Sequence, residues 1–195
     1  MEVKFLSYDA LQSLCDSDLN TVRFRVAGRR RDRRTHIQIL PATLLIAYHL
    51  KRARLRAAVL CPDFLSRTAA IGAIVQLNNT LNESAWMWWE HDFLKQRLIV
   101  FRVQSERLSG CSREMRNLLA AAVREAAAAG LHEVVVWDPP ADMWDAAISL
   151  ADDEKSGWSI AVHKEEAHLT PLARFQFGMD EDVVWHEKQY YFCMS

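Results

Sequence analysis

The stretch from Trp86 to Trp137 constrains the fold more than any other part of the sequence. It begins with two β-rich runs, Ala85–Phe93 and Leu98–Val103, and the short polar break between them predicts a hairpin. From Arg113 to Ala129, apolar residues recur at the spacing of an amphipathic helix. A glycine then ends the helix, and the apolar run Glu133–Trp137 predicts a buried strand. Strand, helix and strand form a crossover, so we expect the second and third strands to be parallel.

Shorter patterns predict the other elements. They are a short helix capped by Asp9, a strand His36–Leu40, a helix from Pro41 to about Ala58, a strand Ala69–Leu77, a helix Ala141–Leu150, a strand Trp158–Val162 and a last strand within Val183–Cys193. Three antiparallel strands therefore precede the crossover helix. In the helix from Pro41, helical spacing brings Leu44, Tyr48 and Leu55 together, which predicts that Tyr48 packs in the core.

The composition limits the classes of protein to which this chain can belong. Half of the 195 residues are hydrophobic, which suffices for one domain with its own core. Residues 1–67 carry 13 Lys/Arg and 6 Asp/Glu, whereas residues 68–195 carry 11 and 19, which predicts contact between the two parts or a basic face for an anionic ligand. The four cysteines have no CxxC spacing, and no apolar run reaches the roughly 18 residues of a membrane span. We expect a soluble, cytoplasmic protein with reduced cysteines.

The most basic stretch is Arg29–Arg34, in which Asp32 alone interrupts the arginines. Like charges repel one another and resist packing, so the stretch predicts a solvated loop. The alternative is a patch for phosphate, such as that of a cofactor. Nucleic acid is disfavoured because no aromatic residues alternate with the arginines.

The polar segment Arg107–Ser112 follows the second strand of the hairpin and matches R/Q-x-x-G-x-G/A except at its last position. This signature and the order of predicted elements resemble the Gcn5-related N-acetyltransferase fold. The resemblance implies an α/β fold with a mixed sheet flanked by helices, and acetyl-CoA bound through its pyrophosphate at the start of the crossover helix. The implied cofactor-binding residues are Val103, Arg107, Gly110, Ser112 and Arg113. The alternative is a polar loop in which Ser112 only caps the helix.

Several short segments together resemble the C-terminal domain of the fungal lysine N6-acetyltransferases of lysine degradation. These segments are Ile39–Pro41, Tyr48–His49 with Arg52, Gly72–Ile74, Trp89–Phe93, Leu98–Arg102, Ala121, Glu125–Ala126, Val136–Trp137 with Pro139, Val184–Trp185, Glu187–Lys188 and Cys193. Tyr48 stands where that family tends to have tryptophan, and His186 where it has asparagine. The resemblance implies one acetyltransferase-like domain over residues 1–195, with residues 1–35 as a helical and basic segment that could link it to an N-terminal acetyltransferase-like half. It also implies acetyl-CoA as cofactor and a small amine such as lysine as substrate.

Acetyl transfer needs a base for the amine and an acid for the departing thiolate. Glu90, His91 and Asp92 end a central strand, where a base could lie. The alternative is that His91 and Asp92 bond to each other and to the hairpin backbone. No tyrosine occurs between Pro139 and Leu150, where the superfamily's acid usually lies, so the sequence assigns no catalytic residue.

The tryptophans Trp86, Trp88 and Trp89 predict a core cluster with one exposed ring, or alternatively an aromatic wall for a substrate's alkyl chain. Histidine spacing predicts no metal site. Two functional hypotheses follow. The first is an acetyl-CoA-dependent N-acetyltransferase that acts on a small amine, and the second is a non-catalytic acetyltransferase-like domain that binds a partner or shapes a substrate site.

Overall fold

The structure, a computed structural model, describes residues 2–28, 35–38, 43–65, 70–76, 84–105, 112–137, 139–152, 159–161 and 183–186. Its elements in chain order are β1 (Val3–Phe5), α1 (Tyr8–Gly28), β2 (Thr35–Gln38), α2 (Thr43–Leu60), α3 (Pro62–Leu65), β3 (Gly72–Gln76), β4 (Ser84–Asp92), β5 (Arg97–Ser105), α4 (Ser112–Ala128), β6 (Glu133–Val136), α5 (Ala141–Ala151) and β7 (Val183–His186).

Five strands form a mixed sheet in the order β1-β3-β4-β5-β6. Pairing is antiparallel from β1 to β5, whereas β5 and β6 are parallel neighbours from Arg97↔Glu133 to Val100↔Val136. The predicted hairpin and the predicted parallel crossover are both confirmed. The sequence analysis did not predict β1, which pairs with β3 at one edge of the sheet. Strands β2 and β7 form a separate parallel pair.

Helices cover both faces of the five-stranded sheet. Alternate side chains of β4 point to opposite faces, so Met87 and Trp89 join the core of α4 and α5, whereas Trp86 and Trp88 join that of α1 and α2. The predicted inward face of α4 is confirmed, since Met115, Leu118, Leu119, Ala122 and Ala126 are all buried. All three tryptophans are at most 3% exposed, so the predicted exposed ring is wrong. The reason is that β4 is a central strand with helices on each side.

Helix α2 turns a different face to the core from the predicted one. Leu44, Tyr48 and Leu55 are 84%, 57% and 72% exposed, so the prediction that Tyr48 packs in the core is wrong. The buried positions are Ile46, His49, Leu50, Ala53 and Ala57. The helix carries two apolar stripes, and the buried one contains the polar His49 because that side chain finds a partner on β4.

Helix α1 is longer than predicted, with 21 residues, and Ser7 rather than Asp9 accepts the capping hydrogen bond, from the Ala10 N–H at 3.3 Å. Asp18 lies within this helix, and its side chain is buried and paired with Arg102. Residues 159–161 are described and are not in a strand, so the predicted strand Trp158–Val162 is not observed over that span. The basic stretch Arg29–Arg34 lies outside the described residues.

Cys15 on α1 is fully buried, and burial raises the pKa of its thiol to about 12, with the nearby Asp18 carboxylate acting in the same direction. Only the thiolate is a strong nucleophile, so Cys15 should be inert in the folded protein. We expect iodoacetamide at pH 8 to alkylate the half-buried Cys61 and to leave Cys15 unmodified, as measured by peptide mass spectrometry. In urea both should react. Equal rates for both cysteines in the native protein would contradict this prediction.

Candidate functional site

A β-bulge lies where β4 pairs with β5. Trp88 pairs with Arg102 and Trp89 with Val100, so Phe101 is an extra residue on β5. Bulges turn side chains away from regular alternation and are common beside functional sites. Here two consecutive side chains, those of Phe101 and Arg102, contact groups of the α1 and α2 layer. The β5–β6 register also ends at Val100, immediately before the bulged residue.

Arg102 forms a buried bidentate ion pair with Asp18 of α1. Its Nε and Nη2 atoms each donate to an Asp18 carboxylate oxygen at 2.8 Å, and Nη2 also donates to Gln104 Oε1 at 3.1 Å. Both charged side chains are at most 2% exposed. This fork geometry fixes α1 against the middle of β5.

The second buried cluster consists of Glu90 on β4 with His49 and Arg52 on α2; we call it the Glu90 cluster. The His49 Nδ1 atom lies 2.9 Å from Glu90 Oε2, and these side chains are 0% and 1% exposed. Arg52 Nη2 lies 3.5 Å from Glu90 Oε1 and 3.2 Å from His49 Nδ1. An ionised carboxylate only accepts, so we assign the proton between His49 and Glu90 to Nδ1. Arg52 contacts both the ring and the carboxylate.

Three buried polar atoms of the Glu90 cluster have no hydrogen-bond partner among the described residues. They are His49 Nε2, Arg52 Nε and Glu90 Oε1, the last of which still has the ion-pair contact with Arg52. The His49 ring lies 4.9 Å from the ring of Phe101, which in turn stacks on Trp88. The cluster therefore lies beside the bulge.

The predicted cofactor residues are divided between described and undescribed parts of the chain. Val103 is buried in β5, and Ser112 and Arg113 are exposed at the start of α4. Arg107 and Gly110 lie outside the described residues.

The start of α4 suits an anionic group. A helix of 17 residues begins at Ser112, and its first N–H groups and the exposed Arg113 supply donors and positive charge. Glu114 adds a negative charge in the same turn, but it lies on the buried face of the helix, whereas Ser112 and Arg113 are exposed. Ser112 and Arg113 are thus exposed at the positive end of the helix dipole.

The strand end Glu90–Asp92 does not form one site. His91 Nε2 lies 2.9 Å from Glu125 Oε1 of α4, on the face opposite the Glu90 cluster. Asp92 accepts from the Lys95 N–H and pairs with Arg97. The expectation that His91 and Asp92 bond to each other is wrong, because neighbouring residues of a strand point to opposite faces. The expected bond from the hairpin backbone to Asp92 is confirmed.

The described residues were examined for groups that could bind a metal ion and for helices that could span a membrane. There, no three His, Cys, Asp or Glu side chains are grouped so that they could hold a metal ion. No helix among those residues is long and apolar enough to cross a membrane.

Comparison with protein families shows which family has this architecture. Residues 1–194 match the family model described as the LYC1 GNAT-like C-terminal domain. The chain belongs to this family. The five-stranded mixed sheet with its helices on both faces is therefore an acetyltransferase-like α/β fold, as the sequence resemblance predicted.

Other comparisons add little to the family match. This chain is similar to TTHA1254 from Thermus thermophilus, a point mutant of which has a crystal structure. The two sequences are 17% identical, the TM-score is 0.37, and the match covers 55% of this chain and 76% of that one. A likeness at this level carries no argument about function. No curated protein is a significant match.

Sequence reasoning missed the role of two site residues, His49 and Asp18. The sequence analysis includes His49 only as part of the family resemblance and assigns no role to Asp18. A polar residue at a core position of an amphipathic helix was the available signal, since such residues are buried only with partners.

Proposed function

We propose that this domain of the LYC1 GNAT-like family binds acetyl-CoA where β5 leads into α4 and takes part in acetyl transfer to a small amine such as lysine. The observation that carries the proposal is the β5–α4–β6 crossover in a chain of a GNAT-like family. The strand leads into a helix whose start exposes Ser112 and Arg113. The lysine substrate is supported by the sequence resemblance alone.

The groups around the start of α4 have defined roles in this proposal. The first N–H groups of α4, with Ser112 and Arg113, would hold the pyrophosphate. Val103, Arg107 and Gly110 belong to the same site by the sequence signature. Acetyl-CoA supplies an activated acyl group as a thioester.

The proposal extends to a partner and a location. The family description names a C-terminal domain, which supports an N-terminal acetyltransferase-like domain as a partner. A cytoplasmic location is supported by the free thiols of Cys15 and Cys61.

Titration of acetyl-CoA by calorimetry tests the cofactor site. We expect the unmodified protein to bind and Arg113→Ala to weaken binding about 10-fold to 100-fold, because a hydrogen bond to a charged group contributes about 1.5 to 3 kcal/mol. Arg116→Ala, an exposed arginine less than one turn further along α4, is the matched control and should bind like the unmodified protein. Gly110→Val should abolish binding, because a β-branched side chain blocks the approach of the phosphate.

The absence of binding heat from the unmodified protein would overturn the cofactor site. A non-catalytic acetyltransferase-like domain is the second candidate function. It is favoured by the contacts of Glu90, because His49 and Arg52 already hold the carboxylate that the sequence offers as a base. Binding of acetyl-CoA without acetylation of lysine would select this second candidate.

A further inference from the structure

We propose that His49 is the general base of this domain and that Glu90 is its positioning residue. The Nε2 atom of His49 accepts the proton that the acceptor ammonium must lose before its nitrogen can attack. This inference rests on the proposed acetyl-transfer function and assigns to it a residue that the sequence analysis left open.

The contact between His49 and Glu90 bears on which nitrogen of the His49 ring carries a proton. Nδ1 lies 2.9 Å from Glu90 Oε2, both side chains are buried, and we assign the proton to Nδ1 because an ionised carboxylate only accepts. In the neutral ring the other nitrogen, Nε2, then carries the lone pair. A carboxylate that holds an imidazole in this tautomer and stabilises the imidazolium formed on protonation is the arrangement found in catalytic dyads and triads.

The unpaired Nε2 atom of His49 distinguishes this histidine from an ordinary core histidine. Its Nε2 atom has no hydrogen-bond partner within the described residues, although the side chain is 0% exposed. Buried polar atoms are nearly always paired, so an unpaired acceptor marks a place for a donor. An ammonium or amine N–H is such a donor.

His91 provides the internal comparison. It also bonds to a glutamate, with Nε2 at 2.9 Å from Glu125 Oε1, and it is also buried. It lies next to Glu90 in sequence but on the α4 face of the sheet. Among the described residues there are thus two contacts between a buried histidine and a glutamate, on opposite faces of the sheet, and of these histidines His49 is the one that adjoins the bulge.

The position of His49 suits transfer at β5. Its ring lies 4.9 Å from that of Phe101, the bulged residue, where the register of β5 with β6 has just ended. Val103, which the sequence signature assigns to the cofactor, follows two residues later on the same strand and packs in the core on the α4 face. Arg52, 3.5 Å from Glu90 Oε1, supplies the second partner of the carboxylate.

Protons and electrons balance in this reaction. The acceptor ammonium loses one proton to His49 Nε2, and the nitrogen lone pair forms a bond to the acetyl carbonyl carbon as the carbon–sulfur bond breaks. The sulfur keeps that electron pair and takes the second nitrogen proton, which gives a free thiol. His49 returns its proton to solvent.

The test compares His49→Asn with His91→Asn in the full chain, with lysine and acetyl-CoA as substrates. Asparagine keeps an N–H near the Nδ1 position, so His49→Asn retains a polar partner for Glu90. His91→Asn loses the Nε2 contact with Glu125 and is the control for disturbing a His–Glu pair at this strand end. We expect His49→Asn to lower kcat about 100-fold to 10,000-fold at pH 7.5, as is typical for loss of a general base. The deficit should shrink as the pH approaches 10, because the side-chain ammonium of lysine, with a pKa of about 10.4, then deprotonates in solution. His91→Asn should leave the rate and its pH profile unchanged, and both variants should bind acetyl-CoA like the unmodified protein.

A measurement that does not depend on catalysis completes the test. In long-range ¹H–¹⁵N spectra of histidine-labelled unmodified protein, His49 should carry its proton on Nδ1, and the Nε2 resonance should move when lysine is added. A proton on Nε2, or equal kinetic effects of His49→Asn and His91→Asn in an active protein, would overturn the role of His49 and leave the proposed function intact. An unmodified protein that neither binds acetyl-CoA nor acetylates lysine would overturn both.

Discussion

Replacing Asp18 with alanine lowers the free energy of unfolding by about 3 to 5 kcal/mol, the usual result of removing one partner from a buried ion pair. The change leaves the guanidinium of Arg102, which is 1% exposed, without the carboxylate that binds it at two 2.8 Å contacts. Gln104 offers Arg102 only a neutral acceptor. Urea denaturation followed by tryptophan fluorescence measures the loss.

Two further variants separate the buried pair from general effects on α1. Asp9→Ala removes an exposed carboxylate from the first turn of the same helix and should cost no more than about 1 kcal/mol. The double variant Asp18→Leu with Arg102→Met removes both charges and should recover most of the stability, because well-packed apolar residues can replace a buried pair. Equal losses from Asp18→Ala and Asp9→Ala would show that the pair contributes nothing beyond an ordinary surface charge.

Replacing Gly72 with alanine lowers the free energy of unfolding by about 3 kcal/mol, at the upper end of the usual cost of overpacking. A Cβ atom on Gly72 would lie 2.5 Å from the Met87 carbonyl oxygen and 3.1 Å from the Trp88 Cα, both backbone atoms of the neighbouring strand. Backbone yields less readily than the end of a side chain, so β3 and β4 would have to separate. Gly72→Val should not fold.

Gly130 is the matched control for this prediction. Its φ of +70° disfavours a side chain, but no described atom lies within 4 Å of an added Cβ. Gly130→Ala should therefore cost only the left-handed conformation, about 1 to 2 kcal/mol. If Gly72→Ala proved no more costly than Gly130→Ala in the same urea series, the close approach of the two strands would not limit the sequence at position 72.

The sequence predicted the fold well wherever the signal was local. The face of α4, the glycine that ends it and the parallel β5–β6 pair all follow from residues within one continuous stretch. The boundaries of α1 and α2 were less accurate. Helical spacing alone cannot decide which of two apolar stripes of α2 is buried, since that depends on what the rest of the chain places opposite.

The candidate site depends on contacts between residues far apart in sequence. His49 and Glu90 are 41 positions apart, and Asp18 and Arg102 are 84 apart, so no local pattern links them. The overall charge asymmetry is also no guide to the second pair, because its acid lies in the basic part of the chain and its base in the acidic part. The bulge that turns Phe101 and Arg102 to one side is a property of strand pairing, which single-strand alternation does not reveal.

The small strand β1 has a consequence for the behaviour of the protein at high concentration. It covers the outer edge of β3, whose residues Gly72 to Val75 are all buried, and so keeps this five-residue strand from offering its backbone to another molecule. In its place the described sheet presents an edge only three residues long, with the exposed Lys4 at its centre. A short, charged outermost strand is a common way in which natural sheets avoid adding a strand from a neighbour. Strand β1 should thus hinder aggregation through the edge of β3.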